Sequence, residues 1–183
     1  VAPGYKADLL VLDDLDKVIV RDVYKNGEKV VSDGKTLCFD MPKINDALEK
    51  KVRSSFNLPM LSSSDFAVDY NGKRKCHVIS LVDGQLLTDD LVSDIDFDCN
   101  NGIDIEHDIL KIAVIERHHN TGHIGNAFIK GIGLKEGAIA SSVAHDSHNL
   151  IVIGTNTDDM AFAANRIREL GGGIVSVKNG KVV

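Results

Sequence analysis

Short apolar runs, broken at regular intervals by Gly, Asn and Asp, divide this 183-residue chain into strand-sized pieces. Ala7 to Asp13 is a continuous apolar run closed by Asp13-Asp14, the signature of a buried strand. Lys17 to Tyr24 is rich in Val and Ile, and after Lys25-Asn26-Gly27-Glu28 the chain returns through Lys29-Val30-Val31. Asn-Gly suits a type I′ turn because both residues tolerate positive φ, so a β-hairpin is predicted here.

From Ser32 to Asp69 the pattern weakens. Pro42, Pro59 and Ser62-Ser63-Ser64 read as a connecting segment, with one helix predicted between Ile44 and Phe56 from the four-residue spacing of Ile44, Leu48 and Val52. Beyond it, strands are predicted at Cys76–Val82, Leu91–Phe97, Ile109–Glu116, Ile124–Ile129, Ala138–Val143 and Leu150–Ile153. One helix is clear. Asn156 or Thr157 can cap it, Asp158-Asp159 suits its positive N-terminal end, and Gly171 follows its last turn. Met160, Ala164 and Ile167 form its apolar stripe, with Arg166, Arg168 and Glu169 expected towards water. A last hairpin, Ile174–Val177 to Lys181–Val183, turns at Lys178-Asn179-Gly180. The class is α+β with strand dominant, without internal repeats.

Composition narrows the class of partner. Hydrophobic residues make up 43% and charged residues 26%, enough for a sizeable core. A formal net charge of -6 argues against nucleic acid or an anionic membrane as partner, and Lys73-Arg74-Lys75 reads as solvated surface. Cys38, Cys76 and Cys99 are odd in number and form no CxxC, which points to a reduced, cytoplasmic setting rather than to a disulfide or zinc framework. No run is long and apolar enough for a transmembrane span, and no leader pattern is present. The opening Val1-Ala2-Pro3-Gly4 has no initiator Met and runs straight into a strand, so the chain reads as a segment of a longer protein.

The candidate chemistry lies in histidines. Five of seven fall between Arg117 and Asn149: His118, His119, His123, His145 and His148. Imidazole titrates near neutral pH and ligates metals, and a polar loop after a strand commonly faces a cleft. His145-Asp146-Ser147-His148 has H-x-x-H spacing, which would suit a metal on one helical turn; its Asp/Ser/Asn content argues for a loop, with histidines braced by hydrogen bonds or facing a neighbouring domain. Ser141, Ser142 and Ser147 near His and Asp raise a hydrolase triad, but no G-x-S-x-G elbow is present. Gly131-Ile132-Gly133-Leu134-Lys135-Glu136-Gly137 misses dinucleotide spacing by one place and reads as a pair of turns. The H-x-E with P-C-x-x-C pattern of cytidine-type zinc deaminases is absent.

Two stretches carry a family resemblance. Val1-Ala2-Pro3-Gly4-Tyr5-Lys6-Ala7-Asp8-Leu9-Leu10-Val11-Leu12 resembles the Pro-Gly-x-x-Ala-Asp segment of the amidohydrolase superfamily, which follows the (β/α)8 barrel and re-enters a small β-sandwich. Lys111 to His119, Thr121-Gly122-His123-Ile124-Gly125 and Gly133 to Asn149 resemble the C-terminal domain of bacterial adenine deaminase, and the match continues through Gly154-Thr155-Asn156 and Asp159-Met160 to Gly171-Gly172-Gly173.

The resemblance implies strands of an amidohydrolase β-sandwich over 1–36, a connecting segment over 37–72 and an α+β domain over 73–183 that could fold independently. The barrel that would bear a dinuclear Mn or Fe centre is missing. The implied activity is hydrolysis of adenine to hypoxanthine and ammonia by metal-activated water. The implied ligands, an H-x-H pair, further His, a Glu and an Asp, would lie upstream of Val1, so no catalytic or metal-binding residue is assigned within this chain. The resemblance also implies that strands 1–36 without their partners leave open edges and exposed apolar surface. Arg117, His118, His119, His145, Asp146, Ser147, His148 and Asn149 are the candidate residues facing the active site or standing behind its ligands. The expected partners are adenine, the barrel of the same protein and further copies of it. The competing reading is a non-catalytic oligomerisation or ligand-sensing module. Another amidohydrolase, such as a hydantoinase or dihydroorotase, would have no reason to carry Ala144 to Asn149.

Overall fold

The computed structural model describes residues 2–37 and 43–183, so Val1 and Cys38 lie outside the described residues. It divides into two compact units, 1–45 and 46–183. No helix in the described residues is long and apolar enough to cross a membrane.

The first unit is an antiparallel sheet of order β1-β2-β3-β4, formed by Leu9–Asp14, Ile19–Lys25, Glu28–Ser32 and Lys35–Thr36. The predicted Asn-Gly turn joins β2 to β3, with φ of 52° at Asn26 and 84° at Gly27. None of this unit's described hydrophobic side chains is buried, and Leu10 is 60% exposed. Its buried side chain is polar instead. Asp22 lies 3.3 Å from both Arg21 and Lys29, and it accepts the Asp33 N–H.

The second unit is built on an eight-stranded sheet of order β12-β11-β9-β10-β7-β8-β5-β6. Its strands are β5 (Lys73–Leu81), β6 (Thr88–Asp96), β7 (Ile109–Ile115), β8 (Ile124–Lys130), β9 (Ala138–Ser141), β10 (Leu150–Gly154), β11 (Ile174–Lys178) and β12 (Lys181–Val182). Every neighbouring pair is antiparallel except β5 with β8, where Val78–Ser80 run beside Phe128–Lys130. These strands overlap all those predicted. Helix α1, Asp46–Arg53, is shorter than the sequence pattern suggests, and α2 spans Thr157–Leu170. The strand-rich α+β class, with no barrel among the described residues, is as the sequence implied.

Strand alternation gives the sheet two unlike faces. On the inner face Ala113, Ile115, Ala138, Ala140, Leu150, Val152, Val175 and Val177 pack against Met160, Ala163, Ala164 and Ile167 of α2. The α2 caps are those the sequence offered: Asn156 Oδ1 accepts the Asp159 N–H at 2.8 Å, and Gly171 closes the helix at φ 73°. Gly137 is required where β9 begins. A Cβ there would lie 2.0 Å from the Val177 carbonyl oxygen, and its φ is 84°.

The weakly patterned segment before β5 contributes to this core. Leu58, Leu61 and Phe66 are buried beside α2, with 63–66 forming a 3-10 turn. Asn165 clamps Leu61 by hydrogen bonds to its N–H and carbonyl, and Arg168, exposed as expected, donates to the Leu58 carbonyl at 2.8 Å. Isolated apolar residues in an irregular run have no period, so this packing leaves no pattern in sequence. A unit cut at residue 73 would lose all three side chains.

Candidate functional site

The antiparallel register gathers three connections at one end of the eight-stranded sheet. Ile115 lies opposite both Ile124 and Leu150, and Ser141 lies opposite both Ile151 and Ile174. The β7–β8 loop (116–123), the β9–β10 loop (142–149) and the α2–β11 connection (171–173) therefore emerge together. Residues 55–57 join them through hydrogen bonds.

Glu116 organises the first loop. It ends the apolar strand and its carboxylate accepts the N–H groups of His118 (2.5 Å), His119 (2.9 Å) and Thr121 (3.2 Å), and the Thr121 hydroxyl (2.9 Å). Burial alone would raise its pKa. The N–H groups of Thr121, His119 and His118 outweigh that and hold it down at about 2, because they stabilise the charged form. A carboxylate followed at once by Arg-His-His is the sequence signal for this knot, although Glu116 was not among the candidates.

Arg117 and His118 tie the two loops together. Arg117 Nε donates to the His148 carbonyl at 2.5 Å and Nη1 to the Ser55 carbonyl at 3.3 Å, while the guanidinium lies 5.1 Å from the centre of the Phe56 ring. His118 Nε2 lies 2.8 Å from the Ser147 carbonyl. A carbonyl only accepts, so Nε2 carries the proton. Asn57 secures the same stretch from outside: its N–H reaches the Arg117 carbonyl at 2.7 Å and its amide the His118 carbonyl at 2.8 Å. Asn57 lies in the irregular segment, and nothing in the sequence singles it out.

The second loop has a different character. His145, Asp146, Ser147 and His148 are exposed, and the turn closes by His148 N–H donating to the Ala144 carbonyl, with His148 at φ 50°. Among the described residues no hydrogen bond engages the side chains of His145, Asp146 or His148, nor those of His119 and His123 in the first loop. The arrangement thus separates bracing groups (Glu116, Arg117, His118) from uncommitted ones (His119, His123, His145, Asp146, His148). A shallow hollow of about 410 Å³ between the loop bases is lined by Val114, Glu116, His123, Ile124, Gly125 and Asn149. The Asn149 Oδ1 is buried and has no hydrogen-bond partner among the described residues.

The donors do not converge on an ion. Among the described residues no group of three or more His, Cys, Asp or Glu side chains is placed to hold a metal. The serines form no triad either. Among the described residues the Ser141 and Ser142 hydroxyls donate to the Val143 and Gly173 carbonyls, and the Ser147 hydroxyl accepts the Asn149 N–H. The 131–137 glycines are turns whose N–H groups at Gly131 and Gly133 bind the Asp108 carboxylate. Of the other histidines, His77 pairs with Asp90 and His107 with Asp104, both at the exposed surface.

Residues 85–183 match the model of a family described as the adenine deaminase C-terminal domain. Over the whole chain, similarity is 43% identity to an adenine deaminase of Petrotoga mobilis, 42% to one of Desulfatibacillum aliphaticivorans and 39% to one of Lysinibacillus sphaericus. The aligned region covers all of this chain but only 31–32% of each of those proteins. The chain therefore spans about a third of the length of the curated relatives it matches.

Proposed function

The chain belongs to the adenine deaminase C-terminal domain family, and on that premise we propose that it is the C-terminal third of a cytoplasmic, homo-oligomeric enzyme hydrolysing adenine to hypoxanthine and ammonia. The observation that carries this reading is the alignment of all 183 residues with proteins named adenine deaminase. The described residues do not fit a metal centre, since their His and carboxylate groups are either spent on bracing or spread along exposed loops. The Mn or Fe pair that the family resemblance implies is accordingly proposed for the (β/α)8 barrel upstream, and no chemical step is assigned to this chain.

Its own residues do something else. Glu116, Arg117 and His118 hold two loops as one rigid wall, and His119, His145, Asp146 and His148 stand on that wall with uncommitted polar groups. Placed at the mouth of the barrel, such groups would hydrogen-bond the purine, its bound water or the residues that orient the metal ligands. Free thiols at Cys76 and Cys99 accord with a reducing compartment.

The test is adenine-to-hypoxanthine turnover with Mn²⁺ supplied, for this chain alone and for the full-length polypeptide. Turnover is expected only in the latter. In the full-length protein Asp146→Ala should lower turnover by roughly 10–100-fold, the range for groups supporting metal ligands. Activity in this chain alone would overturn the division of labour, and normal turnover in a folded Asp146→Ala protein would remove the wall from the site.

A further inference from the structure

The outer face of the eight-stranded sheet is covered over only part of its area. Towards the end away from the histidine loops, Leu110 and Ile129 are buried under Ile103, Ile105, Ile132 and Leu134 from the flanking connections. Towards the loops the cover stops. There Val114 pairs with Ile151 and Gly125, and Ser141 with Ile151 and Ile174, so Val114, Ile151 and Ile174 share one face across β7, β10 and β11 with the small Gly125 and Ser141 in the same row, and Ile139 extends it. No charged side chain interrupts it. Val114 is 40% exposed, Ile139 37% and Ile174 68%, although each stands in a strand of a sheet whose other face is fully packed. Contiguous apolar surface of this kind is uncommon on a free monomer and marks a place that something covers.

We infer that this face is the docking surface for the part of the same polypeptide that precedes this chain, which meets it through a matching apolar surface. The inference rests on the reading that the chain is one part of a longer protein, and three observations select the occupant. The family model is that of a C-terminal domain and the chain supplies only 31–32% of its relatives' length, so the larger share of those proteins lies on the N-terminal side. A body tethered through the chain is present at millimolar effective concentration, far above a second copy at ordinary protein concentration. The field also runs without a break into the hollow between Val114, Glu116, His123 and Asn149, placing an apolar centre beside a polar rim as in protein interfaces generally. Docking there would bring the uncommitted histidines to the edge of the contact.

Hydroxyl-radical footprinting of the unmodified full-length protein tests this without any substitution, reading oxidation of Val114, Ile139 and Ile174 against the same peptides in the unfolded chain. Protection of at least about tenfold at all three is expected, unchanged on dilution from roughly 100 µM to 1 µM, because a tethered contact does not depend on concentration. Maleimide labelling of Val114→Cys and Ile139→Cys, followed by peptide mass spectrometry, should show the same protection. Protection no greater than the partial exposure of these side chains gives by itself, about two- to threefold at Val114 and Ile139, would mean that the face is open and overturn the inference. Protection that disappears on dilution, together with halving of the mass in solution, would assign the face to a second copy and overturn it equally. Neither readout depends on turnover, so failure of the deaminase reading would be seen separately.

Discussion

Lys111 stands in the middle of an apolar strand, in phase with Ala113 and Ile115, and strand alternation therefore carries it into the core. It is fully buried. Its ammonium donates to the Phe66 carbonyl at 2.7 Å and to the Asn101 side chain, above the Phe128 ring, and among the described residues no carboxylate is paired with it. Desolvation pulls its pKa from 10.5 down to about 8. A lysine whose folded pKa lies below its unfolded value binds fewer protons folded than unfolded between pH 8 and 10.5, so stability rises with pH across that window. Urea unfolding should show such a rise, up to about 3 kcal/mol, and Lys111→Met should abolish it. At pH 7 the Met variant should stay within about 2 kcal/mol of the parent, since relief of the buried charge offsets the loss of a donor to the Phe66 carbonyl. Strand period alone is enough to place this residue in the core. What the sequence could not show was its acceptors, which come from two 3-10 turns, Ser63–Phe66 and Asn100–Gly102.

Asp159 joins two elements that are unrelated in sequence. Its buried carboxylate accepts the Gly180 N–H at 2.8 Å and the Asn179 N–H at 3.1 Å, and also binds the amide of Asn156, so the first turn of α2 grips the turn between β11 and β12. Burial opposes its ionisation, and the donors of Gly180, Asn156 and Asn179 together lower its pKa nonetheless. Asp159→Ala should cost about 2 kcal/mol, seen as a thermal midpoint lower by roughly 4–8 °C, and should speed amide exchange at Asn179 and Gly180. At this scale much was legible. Both α2 caps, the Asn26-Gly27 hairpin and the strands from β5 to β12 follow from local pattern, because each is specified by residues within a few positions. The grip of Asp159 was not, since the same acidic residue serves equally as a favourable charge at a helix N-terminus. The candidate site divides the same way. Clustered histidines and the loop after β9 were visible as composition, whereas the bracing by Glu116 and Asn57 depends on segments brought together only by the sheet register.

The matched family region and the folding unit have different boundaries. The family match begins at residue 85, inside the turn between β5 and β6, yet β5 is the strand that joins β6 to β8. A polypeptide of residues 85–183 would also lack Leu58, Leu61 and Phe66 from the main core. It should show no cooperative thermal transition by circular dichroism, whereas residues 46–183 should show one. The first unit stands in the opposite position. With no apolar side chain buried among its described residues, its sheet has no core of its own.

The single parallel junction sets an order in time. Strands β7 with β8, and β9 with β10, pair across short loops, and β5 with β6 forms a nine-pair hairpin by itself. The junction of β5 with β8 brings together residues about fifty positions apart, Val78 opposite Phe128, through only three residue pairs. Closing that long loop costs more chain entropy than forming either hairpin. Until that junction closes, the Phe128 edge of β8 and the Val78 edge of β5 are open to strands from any neighbouring chain.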